Sequence, residues 1–182
     1  MASIITHVAI PLTLTLLAGR ERVSGQLMIW AMLGSVLPDI DVLAFTLGIP
    51  YDSQFGHRGF THSIPFALII ALIGLLFHGY FRGRKIIVFS VLFLSVLSHG
   101  LLDALTNGGY GVAFYWPFSN ERLFFPLTPI EVSPIGVKRF LSERGLIVLW
   151  SEVNVVWLPC IFTVITALLF KISLRRYSKT GT

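Results

Sequence analysis

Three predominantly apolar runs, residues 64–81, 86–105 and 146–170, are long enough to cross a hydrocarbon core, which takes about 20 residues of helix. Lipid offers no partner to a bare backbone amide, so spanning segments fold as helices or closed barrels, and runs of this length read as helices. Two further runs are weaker: 27–47 is interrupted by Pro38, Asp39 and Asp41, and 3–18 is short and carries Pro11. The expectation is an all-α integral membrane bundle of about five transmembrane helices, four if the first only dips into the bilayer. Composition agrees, with 13% charged residues against about 25% in soluble proteins. The first run lacks the basic start and small-residue cleavage pattern of a signal peptide.

No linker-like stretch divides the 182 residues, so a single domain, 1–182, is expected. Cys160 is the only cysteine, which excludes an intrachain disulfide and says nothing of location. The net charge of +5 in a soluble chain would suggest nucleic acid, but the basic residues are scattered over segment ends and build no stripe. No nucleic-acid partner is expected.

Those ends fix an orientation, because cytoplasmic loops retain Lys and Arg. With five spans, Arg20, Arg22, Arg82, Arg84, Lys85, Lys171, Arg175, Arg176 and Lys179 share one side with Glu21 alone, and the other eight carboxylates fall opposite. The basic side is expected to be cytoplasmic. Residues 106–145 then form an external, aromatic-rich cap, with 112–118 and 122–127 able to pair as a short β-hairpin.

This threading gathers seven potential metal ligands near the outer face: His7, Asp39, Asp41, His57, His62, His99 and Asp103. His99 and Asp103 stand four apart and share a helix face, as two ligands or as a local hydrogen-bonded pair. Pro38 cannot donate to Gly34, so the helix breaks just where Asp39 and Asp41 would otherwise diverge. Both carboxylates then reach one ion, or one binds while the other orients a histidine; helix capping is the alternative. His57 and His62 flank a loop loosened by Gly56 and Gly59, with Thr61 or Ser63 as N-cap and Pro65 in the first turn of the next helix. Arg58 beside them suits a phosphate, or pairs with a nearby Asp. His7 precedes Pro11 by four and is a ligand or an interfacial histidine. Glu152, Asn154 and, more weakly, Glu131 are candidates for supporting contacts.

A carboxylate at helix centre costs about 2.5–3.5 kcal/mol on insertion scales, whereas a structural zinc returns about 10–16 kcal/mol in peptides. A divalent metal is therefore expected. The imidazole-rich set favours zinc, as two ions bridged by an Asp or as one ion with supporting contacts.

The strings LPDID at 37–41, FGHRGFTHS at 55–63 and LSHGLLDALT at 97–106, followed by the Gly-Val and Trp-Pro of the cap, resemble the YdjM/YbcI family of bacterial inner-membrane proteins, described as membrane-bound metal-dependent hydrolases. The resemblance covers about residues 1–127. It implies a multi-pass inner-membrane location and a metal site of Asp39, Asp41, His57, His62, His99 and Asp103, with His7 less firmly included. One departure is Val42, where the family carries a histidine after the second Asp.

The functional expectation is a hydrolase acting on a phosphoester or anhydride of a membrane lipid or lipid-linked substrate at the outer face. Asp39 or Asp103 would be the general base and Arg58 the group holding a substrate oxygen. A metal-stabilised scaffold and a metal transporter are the alternatives. The transporter is disfavoured because the inner halves of the runs carry essentially only His78 among ionisable groups.

Overall fold

Among residues 1–180, which the computed structural model describes, all regular elements are helical. Helices α1 (Ile4–His7) and α2 (Ala9–Ala18) form one segment bent at Val8, close to where Pro11 cannot donate to His7. Helix α3 (Gly25–Val36) is capped by the Ser24 hydroxyl, which accepts from the Leu27 amide at 3.1 Å. It passes directly into a 3-10 helix, Leu37–Leu47, with Pro38 at its start, where the missing donor ends the α-helical ladder. A 3-10 turn, Phe60–His62, leads into α4 (Ile64–Leu76). Then come α5 (Lys85–Ala104), the short α6 (Val137–Phe140), and α7 (Glu143–Glu152), which continues through a π-helical stretch, Val153–Trp157, into α8 (Leu158–Thr180).

Three helical segments are long and apolar enough to cross a membrane: Gly25–Leu47, Lys85–Ala104 and Glu143–Arg175. Ile4–Ala18 and Ile64–Leu76 are shorter. The expectation for 64–81 is thereby corrected. Its helix stops at Leu76, and residues 77–83 wind through turns in which Arg82 adopts a left-handed φ of 49°. Thirteen residues reach only about 20 Å, short of the roughly 30 Å core. Run 27–47, which Pro38 seemed to break, keeps a helical path by tightening to 3-10 winding.

Helix α5 packs against α3 and α4, through a cluster that includes Leu27, Ala31, Ala71, Val88 and Leu92. Small residues let these helices approach closely, as in membrane bundles generally. The large apolar side chains point outward, including Leu72, Ile73 and Leu76 of α4 and Phe162, Leu169 and Phe170 of α8. Such an exterior matches lipid rather than water. Helix α5 also fixes the two ends of the molecule, for its first turn adjoins Arg82 and Arg84 and its last carries Asp103. At 20 residues those ends lie about 30 Å apart.

The expected hairpin does not form. Val112 and Leu123 exchange backbone hydrogen bonds of 2.9 and 3.0 Å, but this is an isolated bridge, as is Thr106 with Ile130. Turns at Tyr115 curl the chain away, and Pro117 and Pro126 have no amide to extend a ladder. Segment 106–133 instead folds back over the end of α5. The amides of Phe125 and Ile130 reach the carbonyls of Ala104 and Leu105 at 3.0 and 3.1 Å. Residues 181–182 lie outside the described residues, as do the side chains of Arg176 and Lys179 from the basic set.

Candidate metal centre

The 3-10 winding explains how Asp39 and Asp41 face one region. Two residues on, an α-helix turns side chains about 160° apart, whereas a 3-10 helix leaves about 120°. Both carboxylates are buried and look toward the Phe60–His62 turn. They do different things there. Asp41 is saturated: Oδ1 lies 2.7 Å from His57 Nδ1, and Oδ2 accepts from the Thr61 hydroxyl at 2.7 Å and the Arg58 amide at 3.1 Å, with His62 Nδ1 3.2 Å away. Asp39 is the reverse, a buried carboxylate with no hydrogen bond to either oxygen.

The loop carrying His57 is tightly built rather than loosened by its glycines. A Cβ on Gly59 would sit 2.1 Å from the Gln54 carbonyl oxygen, and one on Gly56 2.2 Å from that of Pro50. Gly59→Ala is expected to cost about 1–3 kcal/mol through overpacking, read as a lower thermal midpoint of the detergent-solubilised protein. An unchanged midpoint would show that the loop yields. Of the two proposed N-caps, Ser63 serves, accepting from the Phe66 amide at 3.1 Å, while Thr61 is turned to Asp41.

Helix α5 supplies His99 and Asp103 from one face. Gly100 lets the histidine turn close onto it, since a Cβ there would meet the His62 carbonyl oxygen at 2.8 Å. His99 Nδ1 donates to the Ser35 carbonyl at 2.7 Å, which leaves Nε2 with its lone pair. Asp41 likewise engages the Nδ1 of both His57 and His62 and turns their Nε2 atoms away from itself. His7 stacks on His99 with ring centroids 3.6 Å apart, and its Nε2 is 3.5 Å from Asp103 Oδ1.

Four ligand atoms converge as a result. His62 Nε2 lies 3.0 Å from His99 Nε2, 3.5 Å from Asp103 Oδ2 and 3.9 Å from Asp39 Oδ1, and His99 Nε2 lies 3.3 Å from that same Asp39 oxygen. A tetrahedral zinc with bonds of about 2.0–2.1 Å would hold its ligands about 3.3 Å apart. The buried set Asp39, His62, His99 and Asp103 can thus hold a metal ion, and a second grouping of Asp41, His57 and His62 shares His62 with it. The three carboxylates Asp39, Asp41 and Asp103 outnumber the fixed cationic groups facing them, the Arg58 guanidinium and the Met1 amine, an excess that a bound cation would offset. Burial opposes a charged His62, yet its contacts with Asp103 and Asp41 prevail and raise it to about 9.

Arg58 is fully buried with φ 63°. Its Nη1 donates to the carbonyls of Gly108 and Tyr110 at 3.1 and 2.8 Å, Nη2 to the Thr106 hydroxyl at 2.8 Å, and Nε faces Asp103 Oδ2 at 3.0 Å. It ties the 106–110 segment to Asp103 and presents no open fork to a substrate. Sequence reasoning gave no role to Arg122, which donates to the carbonyls of Tyr51, Ser53 and His57 and so clamps the loop from the far side. Glu152 is fully buried and binds the Ser3 amide and the hydroxyls of Ser3 and Thr6, fixing the segment that carries His7. Asn154 is exposed and bonds back to Trp150 in its own helix, and Glu131 pairs with Arg144 at 2.7 Å near the surface. Neither reaches the cluster in these contacts.

Similarity to known proteins extends along most of the chain. The model of the YdjM inner membrane protein family matches residues 1–178. Inner membrane protein YbcI of Escherichia coli (strain K12) is 42% identical over 161 residues, 87% of this chain and 92% of the relative. Inner membrane protein YdjM of the same strain is 36% identical over 140 residues, 71% of this chain and 64% of the relative, and YdjM of Shigella flexneri matches equally. No solved structure matches. On the span and identity of these matches, the chain belongs to the YdjM family of inner membrane proteins.

Proposed function

We propose that this protein is a multi-pass inner-membrane hydrolase that holds one divalent metal ion, zinc by ligand chemistry, and cleaves a phosphoester or anhydride of a lipid or lipid-linked molecule at the outer face. The observation that carries the reading is the convergence of Asp39, His62, His99 and Asp103, with both Asp39 oxygens otherwise unpartnered. When bound, such an ion supplies Lewis acidity, lowering the pKa of water and neutralising charge on a phosphoryl oxygen. One ion is favoured over two because Asp41, the carboxylate of the second grouping, is already engaged by four protein groups. Outward placement is supported by the basic residues Arg22, Arg82 and Arg84 lining one concavity beyond the opposite end of α5.

The chain's own residues divide the remaining work. Asp39 and Asp103, expected as general bases, act as ligands here, and Arg58 positions Asp103. The free base is His57: its Nδ1 is held by Asp41, its Nε2 has no partner, and its ring stands 5.5 Å from that of His62. That is the geometry of a carboxylate-oriented proton acceptor. The buried, four-ligand character of the site also favours a second reading, a metal-stabilised scaffold, because closed shells are structural and open ones catalytic.

One experiment separates the two readings. Detergent-purified protein carrying one ion per chain is expected to hydrolyse a phosphoester lipid, with activity lost in His57→Gln while the metal is retained, and with both lost in Asp39→Asn. Metal retention without any hydrolysis by the wild type would leave the scaffold. Metal binding should also be proton-linked. Because His62 is raised to about 9, an ion at its Nε2 must displace a proton at any lower pH, so affinity falls roughly tenfold per unit of acidification. A chelator competition titration between pH 6 and 8 measures this, and a flat profile would show that binding displaces no proton from His62.

A further inference from the structure

Beside Asp39 lies an apolar groove of about 420 Å³, walled by Ile4, Ile5, Val42, Ile135, Val137 and Phe140. Several of these walls, Ile4, Ile5 and Val137 among them, are more than half exposed on the lipid-facing exterior. The groove thus runs from this exposed apolar exterior to Asp39 of the metal site. Among the described residues that line it, Asp39 is the one charged side chain, and its buried carboxylate lacks a hydrogen bond. No Lys or Arg side chain lines the groove, and its polar lining, Met1, Ser3 and Ser133 with Asp39, is small beside its apolar walls. The comparably large cavity between α3, α4 and α5 is lined by no charged group at all and meets no member of the cluster.

Resting on the hydrolase reading above, we propose that this groove seats one linear acyl chain of the substrate lipid, with the cleaved head group directed at Asp39 and its neighbours. The hydrophobic walls hold the chain by removing it from no worse a solvent than lipid, so the groove selects by shape and length rather than by affinity for hydrocarbon. An apolar cavity of about 150 Å³ holds benzene, so at the same occupancy this groove of about 420 Å³ has room for about seventeen carbon atoms. Longer chains would extend past Val137 into the bilayer. The substrate class is thus a membrane phospholipid-like amphiphile whose chain begins close to the reacting phosphoryl group.

The test uses full-length, metal-loaded protein in nanodiscs and a sixteen-carbon alkyl phosphate carrying a terminal diazirine. Photolysis is expected to label the segment 133–140 or residues 4–5, with labelling competed by dodecyl phosphate. Val42→Trp, which fills the groove, should reduce that labelling at least tenfold while metal content and labelling of the exposed α8 face stay unchanged. Phe140→Ala, which enlarges the groove, should shift competition toward longer alkyl phosphates. Labelling spread evenly over the lipid-facing helices and insensitive to Val42→Trp and Phe140→Ala would overturn the assignment. The hydrolase reading fails separately, on absence of phosphate release from the unlabelled lipid by protein that still labels in the groove.

Discussion

Replacing His62 with alanine is expected to leave the purified protein without retained metal, a loss of affinity well beyond a hundredfold. His62 is the one side chain common to both ligand groupings. Its Nε2 lies within 3.9 Å of Asp39, His99 and Asp103, while its Nδ1 is 3.2 Å from Asp41. Removing the ring deletes a ligand and also the cationic group that neighbours the buried carboxylates in the apo protein, since His62 is raised to about 9. Asp41→Asn provides the graded comparison. It preserves shape, but an amide has only one acceptor oxygen to serve His57, Thr61 and His62, so the histidine tautomers are no longer fixed. Loss of an orienting carboxylate of this kind typically costs about 10- to 100-fold in metal affinity. Elemental analysis after dialysis, followed by competition titration, ranks the variants. Stoichiometric metal in His62→Ala would remove that residue from the centre and the proposed hydrolase with it.

How much of this was readable in advance depends on whether the cause was local. His99 and Asp103 follow from a spacing of four on a helix, and the seam at Pro38 follows from a missing donor. The division of labour between Asp39 and Asp41 does not, because it rests on 3-10 winding that persists over eleven residues, longer than such helices usually run. Local propensity gives no warning of that persistence; the partners of Asp41 on the 57–62 loop accompany it. Arg122 and Glu152 act across 65 and 149 residues of chain, and no window of sequence reveals such pairings. The sequence marks Glu152 only as a polar residue in the outer part of an apolar run, without naming Ser3 or Thr6. The length of α4 was misread for a simpler reason: apolar composition continues to Phe81, but the helix ends where the turns around Gly79 and Gly83 begin. The glycines of the 55–63 motif were expected to loosen the loop, yet their missing Cβ atoms allow close backbone contact, a distinction that requires the neighbouring carbonyls to be in view.

Arg58→Ala should be the most damaging single change to stability. The guanidinium and the Asp103 carboxylate are both fully buried and 3.0 Å apart, and breaking such a pair from one side costs about 3–5 kcal/mol because the other charge is left uncompensated. For a chain of this size that corresponds to a fall in thermal midpoint on the order of 10 °C. Three backbone or hydroxyl acceptors at Gly108, Tyr110 and Thr106 lose their donor at the same time, so the covering segment loosens as well. The left-handed φ of 63° adds a second handle. Arg58→Gly loses the same contacts but relieves backbone strain on the order of 1 kcal/mol, so it should be the milder of the two. Excess metal should recover part of the loss in both, since a divalent cation beside Asp103 supplies positive charge that the guanidinium no longer does. Differential scanning with and without metal reads all of these effects. A midpoint unchanged in Arg58→Ala, with hydrolysis abolished, would instead mean that the guanidinium leaves its buried contacts to hold substrate, and the role assigned to it here would pass back from positioning to catalysis.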